Sequence, residues 1–519
     1  NWSGRFMEIS MTREKLSYAE NVLRETRVAE ESAELIVPDA LPDILRIVGT
    51  DAEITVRSKE TFEGRACVSG AARVAVIYVP DGGGAPRRMN AELPFTITAE
   101  DRRITPSCRV TARVEPRSVS AAAVNPRKIA ARAAIAAEIM CFGDAELEIP
   151  VGITPECGDG IELLSAETEL CLPVDILEKT FTVNDEHQIP ASLPPIGELL
   201  NSRVVLSAGD ARVVGSKLIF KGTASVALLY APPDGSDLLQ SAFETEFSQI
   251  LELENADGNS EFEIIPLLTS ARVENTDEAG ADGRRVLAEL RIAAQCVARA
   301  RKTLRYVCDA YCSKYALEAP VAPLSFENSL GARAVSAVLR GTLNAEGASR
   351  VISVAARPGA VAATRENGAL TLTCPVETEA LYIDAEGGLR RADDCLELTA
   401  TLPETGENVR YSARAECPRD IYGVAADGAI ELRIPVELRA DLTETRECGA
   451  VSALATDEAS PLENAALPSL VLTRVMAGDS LWSLAKRHHS TRELILAANN
   501  RGADDELTCG DMLVIPKKR

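Results

Sequence analysis

The chain has 519 residues, which at about 150 residues per domain corresponds to three or four domains. Hydrophobic residues make up 46% and charged residues 26%, a balance that excludes a disordered, collagen-like or membrane-embedded chain. A net charge of −23 excludes broad attraction to nucleic acid or anionic membrane, both of which need clustered positive charge.

Residues 1–29 open the chain, and the stretch 12–34 reads as an amphipathic lead-in helix. The first 30 residues are rich in charge and lack an apolar signal core, and no apolar run reaches the ~20 residues that span a bilayer. A cytoplasmic location without membrane insertion is therefore expected. Aromatics are only 4%, so Val, Ile, Leu and Ala must fill the cores. The 13 cysteines are scattered without a Cys-x-x-Cys, and His187, His488 and His489 are the only histidines. That pattern predicts buried, reduced thiols and neither a metal site nor a cofactor.

Three copies of one unit follow. Residues 70–78 (GAARVAVIY), 222–230 (GTASVALLY) and 374–382 (CPVETEALY) align, and their tyrosines are 152 residues apart twice. Pro80-Asp81-Gly82-Gly83, Pro232-Pro233-Asp234-Gly235 and Asp384-Ala385-Glu386-Gly387-Gly388 come next, the chemistry of a tight turn between strands. A second landmark reads Thr111-Ala-Arg-Val-Glu115, Ser270-Ala-Arg-Val-Glu274 and Ser412-Ala-Arg-Ala-Glu416. Arg and Glu two apart share one face of a strand, which reads as a self-neutralising ion pair rather than a catalytic acid. Alternating runs at 285–292 and 430–437 add a further strand.

The expected fold class is mainly β: three tandem antiparallel sandwich- or barrel-like repeats over 30–155, 170–310 and 320–447. Short helical pieces are expected at 42–48 and 193–201. Between repeats two and three, Cys308, Tyr311, Cys312 and Tyr315 have helical spacing but read best as buried packing between domains.

Residues 448–469, rich in Ala, Ser, Thr, Glu and Pro, read as a linker. Residues 470–517 read as strand, helix, helix, strand. Asp479 or Ser480 caps the first helix, Leu481, Leu484 and Ala485 form its buried stripe, and a capping box from Ser490 to Glu493 opens the second. No phosphate loop, nucleophile elbow or reactive-Cys signature occurs anywhere, so the protein is expected not to be an enzyme.

Gly478-Asp479-Ser480-Leu481-Trp482, the Asn499-Asn500 pair and the ending Gly510-x-x-Leu513-x-Ile515-Pro516 resemble a LysM domain. The resemblance implies a βααβ module whose shallow groove binds N-acetylglucosamine glycans of the peptidoglycan or chitin type. It places the groove at Ala477, Gly478, Asp479 and Ser480, and at Asn500, Arg501, Gly502 and Leu507. Thr473 stands where an aromatic is usual, Cys509 where Pro is usual, and Asp504-Asp505-Glu506 adds acids. These departures weaken sugar stacking or redirect the module to a protein, and Trp482 reads as a core residue.

The repeats, with Val37-Pro38-Asp39 and Pro42-Asp43-Ile44 opening the first, resemble the SPOCS domain of spore-coat assembly proteins. Copy two departs from it, reading Ile189-Pro190-Ala191. Three such units with a C-terminal LysM look like the clostridial SipL-type coat-morphogenesis family. That implies a non-enzymatic scaffold in the mother cell, at the forespore surface, partnering the coat basement-layer morphogenetic ATPase through the LysM region. The alternative is a cell-wall protein that binds peptidoglycan.

Overall fold

The computed structural model describes residues 7–517 apart from 155–158, 236, 277–282, 367, 404–405, 407, 418–420, 427, 462–468 and 503–504. After a short β1 (Met7–Ile9), unit one comprises β2 (Met11–Ile36), β3 (Ile44–Phe62), β4 (Arg65–Pro80), β5 (Arg87–Glu100), β6 (Arg109–Asn125) and β7 (Lys128–Ile153). Unit two comprises β8 (Ile161–Gln188), β9 (Glu198–Val214), β10 (Lys217–Ala231), β11 (Leu239–Glu252), β12 (Glu261–Asn275) and β13 (Arg285–Cys312). A short β14 (Tyr315–Glu318) leads to unit three, which begins with β15 (Val321–Asn344), β16 (Ala348–Pro358), β17 (Ala362–Glu366) and β18 (Ala369–Asp384). It ends with β19 (Leu389–Leu402), β20 (Val409–Glu416), β21 (Tyr422–Ala426) and β22 (Ala429–Val451), and β23 (Leu454–Pro461) follows.

Each unit is two antiparallel sheets face to face. In unit one β7 lies between β2 and β6, and β4 between β3 and β5. In unit two β13 and β10 take those central places, and in unit three β22 and β18 do, with β17 and β21 continuing interrupted outer strands. Alternation along the central strands turns one side chain in two inward, so Val68, Val74 and Val76 of β4 meet Ile129, Ile135 and Ile139 of β7. Each such side chain contributes about 1.5–3 kcal/mol of burial.

The recurring landmarks are pieces of this packing. Tyr78 and Tyr230 are buried and donate their hydroxyls to the carbonyls of Pro42 and Pro194, at 3.2 and 3.0 Å. Gly70 faces Phe95 across the sheet, and Gly222 faces Phe247. A Cβ on Gly222 would lie 2.3 Å from the Phe247 ring and 2.7 Å from the Ser207 carbonyl, so only glycine lets the ring lie flat on the strand. Copy three puts Cys374 there and pairs it with the smaller Leu398. Val37-Pro38-Asp39 is a brace: Arg127 reaches the Val37 and Leu41 carbonyls and the carboxylates of Asp39 and Asp43. In copy two, where Ala191 replaces the acid, Arg284 bonds the carbonyl of Pro190 at 3.0 Å and reaches that of Leu193.

The three units meet about a pseudo-threefold axis. Val48, Leu200 and Ile352, each 152 residues from the next, share one buried cluster with Ile77, Leu229 and Leu381 at the same interval. Beyond the sandwiches the long strands continue as three two-stranded ribbons: 11–20 with 143–153, 161–172 with 300–312, and 321–327 with 445–451. Leu16, Leu170 and Leu324, with Tyr18, Leu172 and Phe326, bring the ribbons together as a stem. Its far end is closed by β23, which pairs with both β1 and β14.

Three sequence expectations change here. Of the lead-in helix expected at 1–29 and 12–34, residues 1–6 lie outside the described residues and the rest is β1 and β2, because the helix-forming residues of β2 are outweighed by its long ladder to β7. At 42–48 and 193–201, β3 and β9 start after turns in place of helical pieces. The linker expected at 448–469 begins as structure: β22 runs to Val451, and Leu454, Ala455, Thr456 and Asp457 of β23 are buried. Small residues of this kind suit a crowded strand junction, and composition alone does not tell them from a tether. Residues 462–468 of that stretch lie outside the described residues.

Candidate functional site

The C-terminal module is β24 (Leu470–Arg474), α1 (Leu481–Arg487), α2 (Arg492–Ala498) and β25 (Met512–Pro516), with β24 antiparallel to β25. Ser480 caps α1: its hydroxyl accepts the Ser483 N–H at 3.0 Å, and the Ser483 hydroxyl accepts the Ser480 N–H at 2.9 Å. Such a cap is worth about 1 kcal/mol. The cap of α2 is Thr491, one residue later than the sequence suggested, because the Ser490 hydroxyl is drawn to the Pro516 carbonyl. Leu484, Ala485, Ile495, Leu513 and Ile515 fill the core. Asn499 pins α2 to β25, donating to the Val514 carbonyl at 2.7 Å and accepting its N–H at 2.8 Å.

The expected groove residues form two loops, each held by its own contacts. In the first, Ala477, Gly478 and Ser480 are exposed, and Gly478 has φ +87°. Asp479 accepts the Met476 N–H at 3.0 Å and pairs with Arg487 at 2.6 Å, which together hold its carboxyl below the usual range. In the second, Asn500 turns the chain at φ +53°, and Arg501 pairs with Asp511 at 2.6 Å. The Gly502 N–H donates to Asp505 at 2.7 Å, and Leu507 leans on the module core. Paired backbone bonds between Val475 and the 510–511 turn, 2.9 and 2.8 Å, hold the two loops on one framework. Asp504, the first acid of the second loop, lies outside the described residues.

Through α1 and the turn that follows it the module is docked on the stem. Trp482, only 8% exposed, donates its indole N–H to Asp309 at 2.8 Å, and Lys486 reaches both oxygens of that carboxylate at 2.6 and 2.8 Å. Burial works against the Asp309 carboxylate, yet the ammonium and the indole hold its carboxyl below the usual range. Tyr311 meets Trp482 edge-on at 4.9 Å and donates its hydroxyl to the Ser490 carbonyl at 2.8 Å. Arg492 lies over the indole at 5.5 Å. Trp482 is thus a core residue as expected, but that core also takes in Tyr311 of β13. Asp309 carried no signal in the sequence, whereas Tyr311 sits in the segment read as packing between domains.

The recurring Arg–Glu pairs go three ways. Arg272 and Glu274 form the exposed pair expected of all copies, at 2.8 Å. Arg414 pairs with Glu416 at 3.5 Å, but Arg113 reaches across to that same Glu416, leaving Glu115 to Arg117. Around them Arg24 binds both Glu138 and Asp441 at 2.8 Å, Arg414 binds Asp441 at 2.7 Å, and Glu263 binds Arg299 at 3.1 Å. Residues of all three units share this cluster, so its charges are committed to the junction. Among the described residues no group of three or more His, Cys, Asp or Glu is disposed to hold a metal, and no helix is long and apolar enough to cross a membrane.

Comparison with known families agrees with the resemblances read from the sequence. Residues 43–124, from the turn before β3 nearly to the end of β6, match the family model described as SipL, SPOCS domain. Residues 473–516 match the LysM domain. No curated protein matches the chain.

Proposed function

We propose, for a chain that carries both a sporulation-associated SPOCS domain and a glycan-binding LysM domain, a non-enzymatic scaffold role in assembly of the spore coat. The observation that carries this reading is the docking of the LysM module at the end of a three-unit body. Body and module form one particle, with Ala477, Gly478 and Ser480 of the first loop and Asn500 and Gly502 of the second exposed to solvent. A scaffold needs several contact faces held in fixed relation, and a second contact made through the same particle gains from effective concentration.

The place of action in this reading is the mother-cell side of the forespore, and the partner of the LysM region is the coat basement-layer morphogenetic ATPase. Co-purification of that ATPase with the full chain, and its loss on removal of residues 470–519, is the expected result. Undiminished capture by the shortened chain refutes the assignment to the LysM region.

The exposed groove loops favour a second reading, binding of peptidoglycan through the same module. It requires the full chain to sediment with purified peptidoglycan and Asn500→Ala to reduce that fraction.

A further inference from the structure

Where unit one meets unit two, the sandwiches leave a cleft of about 620 Å³ between β3 and β6 on one side and β8, β12 and β13 on the other. A second cleft, of about 570 Å³, opens where unit three meets unit one. The two are pseudo-symmetric counterparts. Arg109, Val110 and Thr111 line the first as Arg410, Tyr411 and Ser412 line the second, the alignment that the second sequence landmark defines. Ile176 of the first corresponds to Arg24 of the second, each two residues beyond a bulge in its strand, at Val174 and Val22.

Their charges differ. The second cleft is balanced: Arg24, Arg103, Arg299 and Arg410 face Glu20, Asp101, Glu327 and Asp441. The first has four cations, Arg57, Lys59, Arg109 and Arg291, and a single carboxylate, Glu178. Glu178 is taken by Lys59, which also contacts Gln295 and so ties the floor of the cleft to unit two. Arg57 and Arg109 pair with Glu92 and Asp144, neither of which lines the cleft. The Arg291 side chain is exposed and makes no hydrogen bond or ion pair among the described residues.

On a chain of net charge −23 an excess of cations lining one cavity runs against the overall field, and Arg291 is left there without an anion of its own. Threonine and serine hydroxyls at Thr111, Thr180 and Ser270 add donors, and Val56, Ile176 and Leu267 give an apolar wall. The volume is that of a small-molecule site. Guanidinium groups bind carboxylate and phosphoryl oxygens in two-point fashion.

We infer that the cleft between units one and two binds a small organic polyanion carrying two or more carboxylate or phosphoryl groups. The anion bridges Arg57 and Arg109 of unit one and Arg291 of unit two, so its binding tightens that junction and leaves the balanced cleft unaffected.

Calorimetric titration of the full chain at low salt, with citrate and with pyrophosphate in separate runs, tests this and distinguishes the carboxylate from the phosphoryl class. Saturable one-to-one binding of at least one probe is expected. Arg291→Gln, an exposed change that disturbs no contact, should weaken it tenfold or more, while Arg410→Gln in the balanced cleft should leave it unchanged. The inference is overturned if neither probe binds saturably. It is equally overturned if Arg291→Gln and Arg57→Gln bind like the parent, or if Arg410→Gln weakens binding as much as they do. Circular dichroism of each variant confirms that the fold is retained.

Discussion

The Trp482 indole N–H donates to Asp309 at 2.8 Å across 173 residues of chain, and with it the C-terminal module is fastened to the middle unit of the body. The same carboxylate holds Lys486, so one side chain carries two polar contacts of the dock, beside that of the Tyr311 hydroxyl with the Ser490 carbonyl. Asp309→Ala should release the module, weakening the docked state by about 1–3 kcal/mol. In a Trp2→Phe background Trp482 is the sole tryptophan, so its emission reports the change directly. A shift to longer wavelength in the variant is expected; an unchanged spectrum would show that the apolar contacts with Tyr311 suffice.

Gly222 and Phe247 are a matched pair, as are Gly70 and Phe95. Gly222→Ala should destabilise the protein by about 1–3 kcal/mol through overpacking. Adding Phe247→Leu should recover part of that loss, since the third unit already combines Cys374 with Leu398. Urea denaturation midpoints of the single and double variants decide the point, and equal losses in both would mean that the Ser207 carbonyl, not the ring, is the obstacle.

Glu53 is half-buried, and one of its oxygens is buried without a hydrogen-bond partner. Burial, with Asp51 nearby, pushes its carboxyl up to about 7 against the pull of Arg73. An acid whose folded pKa lies above its unfolded value costs stability once the unfolded chain ionises. The cost is absent below about pH 4, grows as pH rises, and levels off above 7. Glu53→Gln should therefore raise the melting temperature at pH 8 and leave it unchanged at pH 4, a gain on the order of 1–3 kcal/mol. Equal melting temperatures at pH 8 would contradict this.

Asp441 behaves in the opposite sense. Burial opposes its charge, but Arg414 and Arg24 outweigh it and bring its carboxyl down to about 2. Its contribution is complete above the unfolded value near 4 and is lost as pH falls through about 2. Asp441→Asn, which leaves two buried guanidinium groups short of a partner, should cost about 3–5 kcal/mol at pH 7. Thermal melts of parent and variant should converge as the pH approaches 2; a gap that stays constant would rule out ionisation as the source.

The triplication and the antiparallel class were legible because tyrosine, turn and Arg–Glu landmarks repeat in order: the tyrosines lie on the central strands β4, β10 and β18, and the Arg–Glu pairs on the outer strands β6, β12 and β20. The LysM module was legible to the level of its caps, with Thr491 displacing Ser490 by one residue. What stayed hidden is long-range. Residues 12–34 are good helix formers, and only the ladder that β7 offers makes them a strand. Ala455 and Thr456 look like tether residues until β1 and β14 are placed on either side of them. Asp309, one acid among 78 acidic residues, gains meaning only when Trp482 and Lys486 arrive.

A homotrimer of one such unit would have three identical junctions and three identical stem ends. Joining the copies in one chain removes that obligation, and the sequence has used the freedom: the junction clefts differ in charge, and one ribbon alone bears Asp309 and Tyr311. The result is a threefold architecture with unequal faces. The module therefore has one seat among three related stem ribbons, and a ligand held in its loops would stand beside the ribbon of the middle unit.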